Sequence, residues 1–418
     1  MKREMLTGNK AAAWGVRLSE VDYVPAYPIT PQTEIIETLA GWISEGLMET
    51  RFVTMDSEHS MITAAGAASA AGARAFTATS SQGLLYGFEM LYTVAGWRVP
   101  LVMINVSRGL SSPITLEPDH NDVLAARDSG FLQVHCETCQ EVLDSVIMAY
   151  RLAEDERVLL PVMVNLDGFY LSFTREPVTI PDPDSVREFL PPYRPDHAFF
   201  KASEPMAQGV AVLGGTAYSY FKYQMHLASK SALEVYREVA EEFESIFGRR
   251  YDPVEGYEME DAEYVLVMAG SFSTLGKKAV KMARSRGIKA GLLRLRLVRP
   301  FPSEEVRRAL GGKRAVAVVD QNISVGMGGI IFSEVAAALY SLNDRPRLLS
   351  FIGGLGGKNI SPQEFEFIFD QMARAGDGEG EEEEMAEGAE AGPRLLYTEK
   401  EMEEISNLKK IAGKEAKP

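Results

Sequence analysis

Short apolar segments alternate with helical segments along most of this chain, and this alternation constrains the fold more than any other feature. Strands joined through helices at such spacing form a parallel sheet that is covered on both faces. In the first part of the chain, strands are predicted at Val21–Tyr27, Arg51–Met55, Arg74–Thr79, Pro100–Val106, Phe131–His135 and Leu159–Leu166. Helices are predicted between them at Thr7–Leu18, Glu34–Trp42, from Glu58 onward, Leu84–Ala95 and Gln140–Ala153. The same alternation resumes from Tyr264 to Ala373 and predicts a second, smaller α/β domain.

The length of 418 residues exceeds what one core usually contains, so two domains with connecting segments are expected. The proline-rich stretch after the first domain predicts an extended arm over that domain or over a partner subunit, with one helix near Gln224–Phe247. A short charged helix is predicted near Glu399–Ile411. The predicted limits are 1–175 for the first domain, 176–255 for the arm and connecting helix, 256–375 for the second domain, 376–395 for an acidic low-complexity linker and 396–418 for a charged tail.

Composition excludes several classes of function. The net charge of −16 argues against nucleic-acid binding, although eight acidic residues lie together between Asp377 and Glu390. No apolar run approaches the ~18 residues of a membrane-spanning helix, and no signal peptide is recognisable, so a cytoplasmic protein without a membrane segment is expected. Two cysteines provide neither a disulfide framework nor a full ligand set for an iron–sulfur cluster.

Four polar segments directly follow predicted strands. They are Thr30, Glu58, Ser80–Gln82 and Arg108. In parallel α/β sheets, ligands bind outside the carboxyl ends of the strands. One polar residue at such a position would mean little, but four at one edge predict a binding or catalytic site.

Glu58 begins a helix made almost entirely of Ala, Gly and Ser, with Asp56 or Ser57 as its N-cap. Two interpretations are equally open from this segment. Glu58 either complements the helix dipole in the first turn or is a poorly hydrated acid on a crowded surface. The small side chains behind it indicate that another backbone or a flat ligand comes close.

Other motifs carry less weight. The glycines of Gly326–Gly329 and Gly353–Lys358 lack the spacing of nucleotide loops and are better explained as turns, while Gly376–Gly378 lies in the acidic linker. A single Cys136–Cys139 pair is weak evidence for redox chemistry. His59, His120 and His135 have no partners at ligand spacing, so no metal site is predicted.

The remaining motifs resemble a known family. The segments that carry the resemblance are Gly8–Gly15, Ala26–Thr33, Ser57–Ser60, Ala78–Leu84, Leu110–Ile114, Asp119–Asp122, Leu160–Phe169, Leu292–Pro302, Val319–Ile323 and Gly353–Gly357. In this order, over residues 5 to 372, they resemble the alpha subunit of pyruvate:ferredoxin oxidoreductase and its 2-oxoacid relatives. The resemblance implies a doubly wound parallel sheet of the thiamine-enzyme pyrimidine-binding type, followed by a smaller α/β domain like the C-terminal domain of transketolase.

The resemblance also implies roles for the strand-end residues. In the family, a glutamate at the position of Glu58 bonds the pyrimidine of thiamine diphosphate and helps the cofactor lose its C2 proton. Residues matching Thr30 and Arg108 contact the 2-oxoacid carboxylate. Tyr27, Pro28 and Gln82 are expected to contact the cofactor. A desolvated carboxylate holds a proton more tightly, and a guanidinium suits a planar anion, so the residue types fit these roles.

The implied activity is oxidative decarboxylation of a 2-oxoacid, pyruvate first, with CoA and ferredoxin. This chain lacks the diphosphate–Mg²⁺ motif and the cysteine-rich cluster segments, so Mg²⁺ and 4Fe–4S clusters are expected on other subunits. A beta subunit would share the thiamine diphosphate, and gamma and delta subunits would complete the complex. The loop Pro113–His120 departs from close relatives, so the substrate is left open among pyruvate, 2-oxobutyrate, branched 2-oxoacids such as 2-oxoisovalerate, and 2-oxoglutarate. A non-catalytic scaffold subunit and a transketolase-like enzyme without electron transfer are the alternatives.

Overall fold

The computed structural model describes residues 2–195, 200–377 and 392–411. The first region and its arm contain β1 (Lys2–Thr7), α1 (Gly8–Leu18), β2 (Tyr23–Ala26), α2 (Thr33–Ser44), β3 (Arg51–Thr54), α3 (Glu58–Ala70), β4 (Phe76–Thr79), α4 (Ser81–Tyr86), α5 (Phe88–Trp97), β5 (Val102–Ser107), α6 (Asn121–Ala125), β6 (Leu132–His135), α7 (Cys139–Ala153), β7 (Val162–Asp167), β8 (Arg175–Ile180), α8 (Pro183–Phe189) and α9 (Gly215–Phe247). The second region contains β9 (Val254–Tyr257), β10 (Tyr264–Ala269), α10 (Ser273–Ser285), β11 (Ala290–Leu295), β12 (Leu297–Arg299), α11 (Ser303–Leu310), β13 (Ala315–Asp320), α12 (Ile330–Leu339), β14 (Arg347–Ile352), α13 (Pro362–Gly376), β15 (Arg394–Leu395) and α14 (Glu399–Ile411). Short 3₁₀ turns occupy Ala126–Asp128 and Leu355–Gly357.

The first sheet is parallel in the order β3-β2-β4-β5-β7-β6, with β2 joined to β4 through a single bridge between Tyr23 and Ala75. Every residue of β5 and β7 is buried. Such continuous burial requires helices on both faces of the sheet, and it explains why these strands begin with consecutive apolar residues rather than an apolar–polar alternation. The predicted doubly wound α/β architecture is confirmed.

The second sheet has the order β9-β11-β10-β13-β14-β15. Its strands are parallel except β9, which runs antiparallel to β11. The following helix α13 begins with a capping box between Ser361 and Glu364 and has Pro362 in its first turn, a combination that fixes a helix start. The predicted second α/β region therefore exists as a mainly parallel sheet.

One strand of the second region belongs to the first sheet. The extended segment that begins at Ala290 divides at Arg296 into β11 and β12, and β12 pairs antiparallel with β6. The His135 N–H donates to the Arg296 carbonyl at 2.7 Å, where the pairing changes from one sheet to the other. Because β12 follows the predicted domain boundary near residue 256 but belongs to the first sheet, that boundary does not divide the chain into two separate sheets.

The helix predicted at Leu84–Ala95 is two helices, α4 and α5, which meet at Gly87. A Cβ atom at Gly87 would lie 2.4 Å from Ile62 Cδ1, so the absence of a side chain at Gly87 makes room for the Ile62 side chain of α3. The small residues of α3 have the same cause. A Cβ atom at Gly66 would lie 2.5 Å from Val94 of α5, so a neighbouring helix fills the space that the Ala, Gly and Ser side chains leave open.

The arm contains more regular structure than predicted. Strand β8 pairs antiparallel with β1, and α9 begins at Gly215 rather than near Gln224. The C-terminal half of α9 buries apolar residues in the core of the first region, among them Val235, Val239 and Phe243. Part of the arm thus packs on the first domain, which is one of the two positions predicted for it; the other was on a partner subunit.

The predicted acidic linker lies largely outside the described residues, as does the end of the predicted tail. Arg394 and Leu395, which the prediction placed in the linker, form β15 beside β14. Helix α14 occupies the range expected for the charged helix. Among the described residues, no helix combines the length and apolar character that crossing a bilayer requires.

Candidate active site

The strand-end residues lie at one edge of the first sheet. Glu58 follows β3, Thr30 lies in the loop after β2, Gln82 lies in the helix after β4, and Arg108 follows β5. These four strands are consecutive neighbours in the sheet, so their carboxyl ends form one continuous edge. We call the group Thr30, Glu58, Gln82 and Arg108 the strand-end site.

Arg108 brings three of the predicted residues together. Its Nη1 donates to the Thr30 carbonyl at 2.8 Å, and its Nη2 donates to Gln82 Oε1 at 2.6 Å. The residue is only 7% exposed, and its Nε is buried without a hydrogen-bond partner. Burial lowers the pKa of Arg108, but a guanidinium stays charged in proteins. The result is a fixed cation whose side chain donates only to neutral groups, while the nearby Asp122 carboxyl group acts on its pKa in the opposite direction to burial.

Glu58 is the first residue of α3, and the Ser57 hydroxyl caps this helix by accepting from the Ser60 N–H at 3.2 Å. Ser57, rather than Asp56, is therefore the cap. Glu58 is 5% exposed, and this burial raises the pKa of its carboxyl group, opposed only by a hydrogen bond from its own backbone. In the described part of the chain, its carboxylate has no ion-pair partner. Glu58 is thus a buried acid rather than a solvated charge at a helix end.

Gly83 leaves the space that the Glu58 carboxylate occupies. A Cβ atom at this position would lie 2.4 Å from Glu58 Oε1 and 2.7 Å from Thr79 Oγ1. The Thr79 hydroxyl is itself buried without a hydrogen-bond partner. The Glu58 carboxylate and the Thr79 hydroxyl therefore lie beside Gly83, and both have hydrogen-bonding capacity left. A bound ring that contains nitrogen atoms could use this capacity.

Tyr27 and Pro28 are placed less directly. Tyr27 is half-buried, and its carbonyl accepts from Gln32 Nε2 at 2.9 Å, while Pro28 is exposed. Both lie in the loop that also carries Thr30. Among the described residues, no hydrogen bond joins either of them to Glu58 or Arg108. Their assignment to the cofactor remains a prediction.

Asp122 is a site-adjacent residue whose importance the sequence did not reveal. It is fully buried, and burial raises the pKa of its carboxyl group. Its Oδ2 accepts from the backbone N–H groups of Ser81 at 3.0 Å and Arg108 at 3.2 Å. The sequence offered only one signal for Asp122: it is an acidic residue after a polar loop. It lies in the segment Asp119–Asp122, which was interpreted only through the family resemblance.

Two of the three histidines that have no partner at ligand spacing in the sequence, His120 and His135, lie side by side in the fold. The rings of His120 and His135 lie 5.1 Å apart, and His120 Nε2 lies 2.7 Å from Asp167 Oδ1. Burial lowers the pKa of His135 to about 3, whereas Asp167 more than offsets burial and raises the pKa of His120. No group of three or more acidic, histidine or cysteine residues able to hold a metal ion occurs within the described ranges.

Cys136 and Cys139 are both buried and unbonded. Burial raises the pKa of each thiol, which is opposite to the shift that activates a redox cysteine. The glycines of Gly353–Gly357 form a turn against the loop that follows Arg108, since the Gly357 N–H donates to the Pro118 carbonyl at 2.7 Å. Neither motif has the geometry of a second active site.

Solved structures define the class of fold. The chain resembles the 2-oxoglutarate:ferredoxin oxidoreductase from Magnetococcus marinus, solved with 2-oxoglutarate, coenzyme A and succinyl-CoA bound, with a TM-score of 0.68 at 19% identity over 90% of this chain and 65% of that longer chain. It also resembles a split-gene transketolase, an inactive beta4 tetramer, with a TM-score of 0.52 at 14% identity over 88% of this chain and 96% of that one. The fold is that of the 2-oxoacid:ferredoxin oxidoreductases and transketolases.

Sequence comparison defines the family. Residues 15–241 match the model described as "Pyruvate flavodoxin/ferredoxin oxidoreductase, thiamine diP-bdg", and residues 262–365 match "Pyruvate:ferredoxin oxidoreductase core domain II". The chain is 42% identical to pyruvate synthase subunit PorA of Thermotoga maritima over 88% of this chain and 94% of that protein. It is also 42% identical to PorA of Methanocaldococcus jannaschii (90% and 96% covered), and 40% identical to ketoisovalerate oxidoreductase subunit VorA of Pyrococcus horikoshii (89% and 94% covered). The chain belongs to the pyruvate flavodoxin/ferredoxin oxidoreductase family, and its first region is the thiamine diphosphate-binding domain of that family.

Proposed function

We propose that this chain is the alpha subunit of a cytoplasmic 2-oxoacid:ferredoxin oxidoreductase. The complex would convert pyruvate and CoA to acetyl-CoA and CO₂ and would pass the electrons to ferredoxin. The observation that carries this proposal is the strand-end site, where a buried guanidinium with neutral partners lies on the same sheet edge as a buried carboxyl group without an ion-pair partner.

The residues fit thiamine diphosphate. When bound, this cofactor supplies the carbon nucleophile and the electron sink for decarboxylation. Glu58 would hold a proton shared with a pyrimidine nitrogen, because burial raises its pKa and so strengthens its hold on a proton. Gly83 keeps the space beside that carboxylate open. Gln82, Tyr27 and Pro28 would line the cofactor from the neighbouring loops.

Arg108 would bind the 2-oxoacid carboxylate. Its contacts with the Thr30 carbonyl and with Gln82 fix the plane of the guanidinium, while each Nη donates one hydrogen bond within the chain and has a second N–H group for a planar anion. Thr30 is exposed, so its hydroxyl is free to orient the substrate beside Arg108. A cation held in place before substrate arrives loses little entropy on binding.

Other subunits would complete the enzyme. A beta subunit would close over the thiamine diphosphate and supply Mg²⁺ ligands, and gamma and delta subunits with 4Fe–4S clusters would carry electrons to ferredoxin. Similarity to subunits named PorA supports this organisation, because a subunit name implies an assembly. The isolated chain is expected to be inactive.

A second substrate is also favoured by the comparisons. VorA subunits of ketoisovalerate oxidoreductases match this chain almost as well as PorA subunits do, at 39–40% identity. The alternative substrate is therefore 2-oxoisovalerate, ahead of 2-oxoglutarate. A non-catalytic scaffold is disfavoured, because a buried carboxyl group without an ion-pair partner costs stability that a scaffold has no reason to bear.

The test uses the reconstituted complex. Glu58→Gln keeps the shape of the side chain but removes the acid, and it should slow hydrogen–deuterium exchange at C2 of thiamine diphosphate by at least ~100-fold. The matched control is Glu89→Gln, since Glu89 is an exposed glutamate on the nearby helix α5. Exchange at the wild-type rate in Glu58→Gln would refute the proposed role. Turnover on a panel of 2-oxoacids with a viologen acceptor would then identify the substrate.

A further inference from the structure

The Asp122 carboxylate accepts hydrogen bonds from five residues, and only one of them, Val123, lies in helix α6 with it. Its Oδ2 accepts from Ser81 N at 3.0 Å, Arg108 N at 3.2 Å and Asn105 Nδ2 at 3.1 Å. Its Oδ1 accepts from Ser107 Oγ at 3.1 Å and from Val123 N at 2.7 Å. Both oxygens are therefore saturated with donors, and the side chain is fully buried.

These donors come from the two elements that carry the substrate-side contacts. Ser81 begins α4 and precedes Gln82, and Arg108 follows β5, so one carboxylate oxygen fixes both backbones. Ser81 has φ +50°, a left-handed conformation that is unfavourable for a serine and needs such an anchor. Ser81 Oγ also lies 2.7 Å from Gln82 Oε1, the same oxygen that accepts from Arg108 Nη2.

The second region holds the segment that carries Asp122. The His120 N–H donates to the Gln321 carbonyl at 2.8 Å, and the Ile323 N–H donates to Asn121 Oδ1 at 3.0 Å. The Gly356 N–H donates to Asp119 Oδ2 at 3.2 Å. Loops after two strands of the second sheet thus fix residues 119–121, and through them the position of Asp122.

We propose that Asp122 is a positioning residue for the 2-oxoacid, acting by fixing the backbones of Ser81 and Arg108 so that the Arg108 guanidinium meets Gln82 and the Thr30 carbonyl. The inference rests on the proposed role of Arg108 as the carboxylate anchor. Asp122 itself touches neither substrate nor cofactor in this account. An amide in its place would bring an NH₂ group against donors in either orientation, so Asn cannot reproduce its contacts.

The experiment compares four variants of the reconstituted complex: Arg108→Ala, Asp122→Asn, the double variant, and Asp144→Asn. Asp144 is the matched control, because it is fully buried and accepts from Arg249 and Tyr251 but contacts no residue of the strand-end site. The measurements are KM and kcat for the 2-oxoacid, thermal unfolding of each complex, and calorimetric binding of oxamate, an unreactive analogue that has the same carboxylate and carbonyl groups.

Asp122→Asn should raise KM and weaken oxamate binding by about tenfold, the scale of one lost hydrogen bond to a charged group. Asp144→Asn should lower the unfolding temperature without changing KM. In the Arg108→Ala background, Asp122→Asn should raise KM no further, because the group it positions is gone. Should Asp122→Asn fail to fold, Ser107→Ala removes a single donor to the carboxylate and should raise KM by about two- to threefold.

The outcomes separate the two proposals. An unchanged KM in Arg108→Ala overturns the role of Arg108 and this inference with it. A raised KM in Arg108→Ala with an unchanged KM in Asp122→Asn, or in Ser107→Ala where that variant replaces it, overturns the positioning role alone. Equal KM changes in Asp122→Asn and Asp144→Asn, or multiplicative effects in the double variant, overturn it as well.

Discussion

Arg108 and Arg294 are both buried, and their surroundings differ in kind. Arg294 donates to both carboxylate oxygens of Glu141, at 2.9 and 3.0 Å, and to Glu255 at 3.1 Å. Arg108 donates its side-chain hydrogen bonds to a backbone carbonyl and to an amide oxygen. The pKa of Arg294 is raised by its carboxylates although burial opposes them, whereas burial lowers the pKa of Arg108.

Glu58 and Glu141, which are also both buried, show the same contrast. Although burial alone would raise it, the charges of Arg294 and Arg296 lower the pKa of Glu141 to about 2. The pKa of Glu58 is raised, because no cation offsets its burial. The paired charges of Glu141, Arg294 and Arg296 join the first region to the second, whereas Arg108 and Glu58 lie where substrate and cofactor are proposed to bind. For these residues, pairing with an opposite charge gives a structural reason for burial, and the lack of such a pair makes a functional role the better explanation.

The largest expected effect comes from removing the carboxylate of Glu141, which is paired with Arg294 and Arg296. Glu141→Gln removes one of the two carboxylates that Arg294 and Arg296 share and leaves them the half-buried Glu255, so the free energy of unfolding should fall by about 3 kcal/mol, the lower end for a broken buried ion pair. Thermal unfolding of the complex checks this, with KM for the 2-oxoacid expected to stay unchanged. As a control, Glu238→Gln removes the exposed pair with Arg157 and should cost less than about 1 kcal/mol. Equal losses from both variants would contradict the contrast.

The next effect tests the space beside Glu58. Gly83→Ala places a methyl group where Glu58 Oε1 lies 2.4 Å away, so the carboxylate must move. Overpacking of this kind costs about 1–3 kcal/mol, and C2 exchange of thiamine diphosphate should slow while the complex stays assembled. Gly41→Ala is the control, because a Cβ there meets nothing within 4 Å, and it should be neutral or slightly stabilising. A normal exchange rate in Gly83→Ala would show that Glu58 tolerates displacement.

A smaller effect sharpens the role of the unpaired arginine. Arg108→Lys keeps the positive charge but loses the planar fork that reaches Thr30 and Gln82 together, so KM for the 2-oxoacid should rise by about tenfold with a smaller change in kcat. Steady-state kinetics measure both constants. Arg308→Lys, on the exposed surface of α11, provides the comparison and should change neither. Full activity of Arg108→Lys would mean that charge alone suffices.

The smallest effect concerns the pH dependence of stability. The pKa of Glu58 is raised above its ordinary value of 4.5, so the folded state binds this proton more tightly than the unfolded state. Its contribution to stability is therefore full below pH 4.5 and is lost as the pH rises through the folded pKa. The unfolding temperature of the wild type relative to Glu58→Gln should fall as the pH increases from 4 to 8. A difference that stays constant or grows with pH would contradict the raised pKa.

The sequence was sufficient to predict most strands, because mainly apolar segments such as those that begin β5 and β7 have few other structural solutions. It also placed Glu58, Thr30, Gln82 and Arg108 at one edge of the sheet, because they lie just past the ends of such strands. The hydrogen bond between Gln82 and Arg108 was not predicted, and the roles of these residues in a site remain predictions. These predictions depend on local pattern and on the general geometry of parallel sheets.

What could not be predicted depends on contacts between distant segments. Nothing in Leu297–Arg299 indicates that these residues pair with β6, since a three-residue strand has no periodicity of its own. The break at Gly87 depends on Ile62 of another helix. The role of Asp122 requires knowledge of where the N–H groups of Ser81 and Arg108 point, which only the folded backbone defines.

The pairing of β12 with β6 affects how the first sheet folds during translation. Strand β6 receives its second neighbour only when Leu297 has left the ribosome, although β6 itself ends at His135. During the synthesis of the arm and the start of the second region, the nascent first sheet presents an open strand edge, which is a template for wrong pairing. A ribosome-bound chain stopped before residue 297 should therefore be more prone to aggregate or to recruit chaperones than one stopped after residue 299 has emerged.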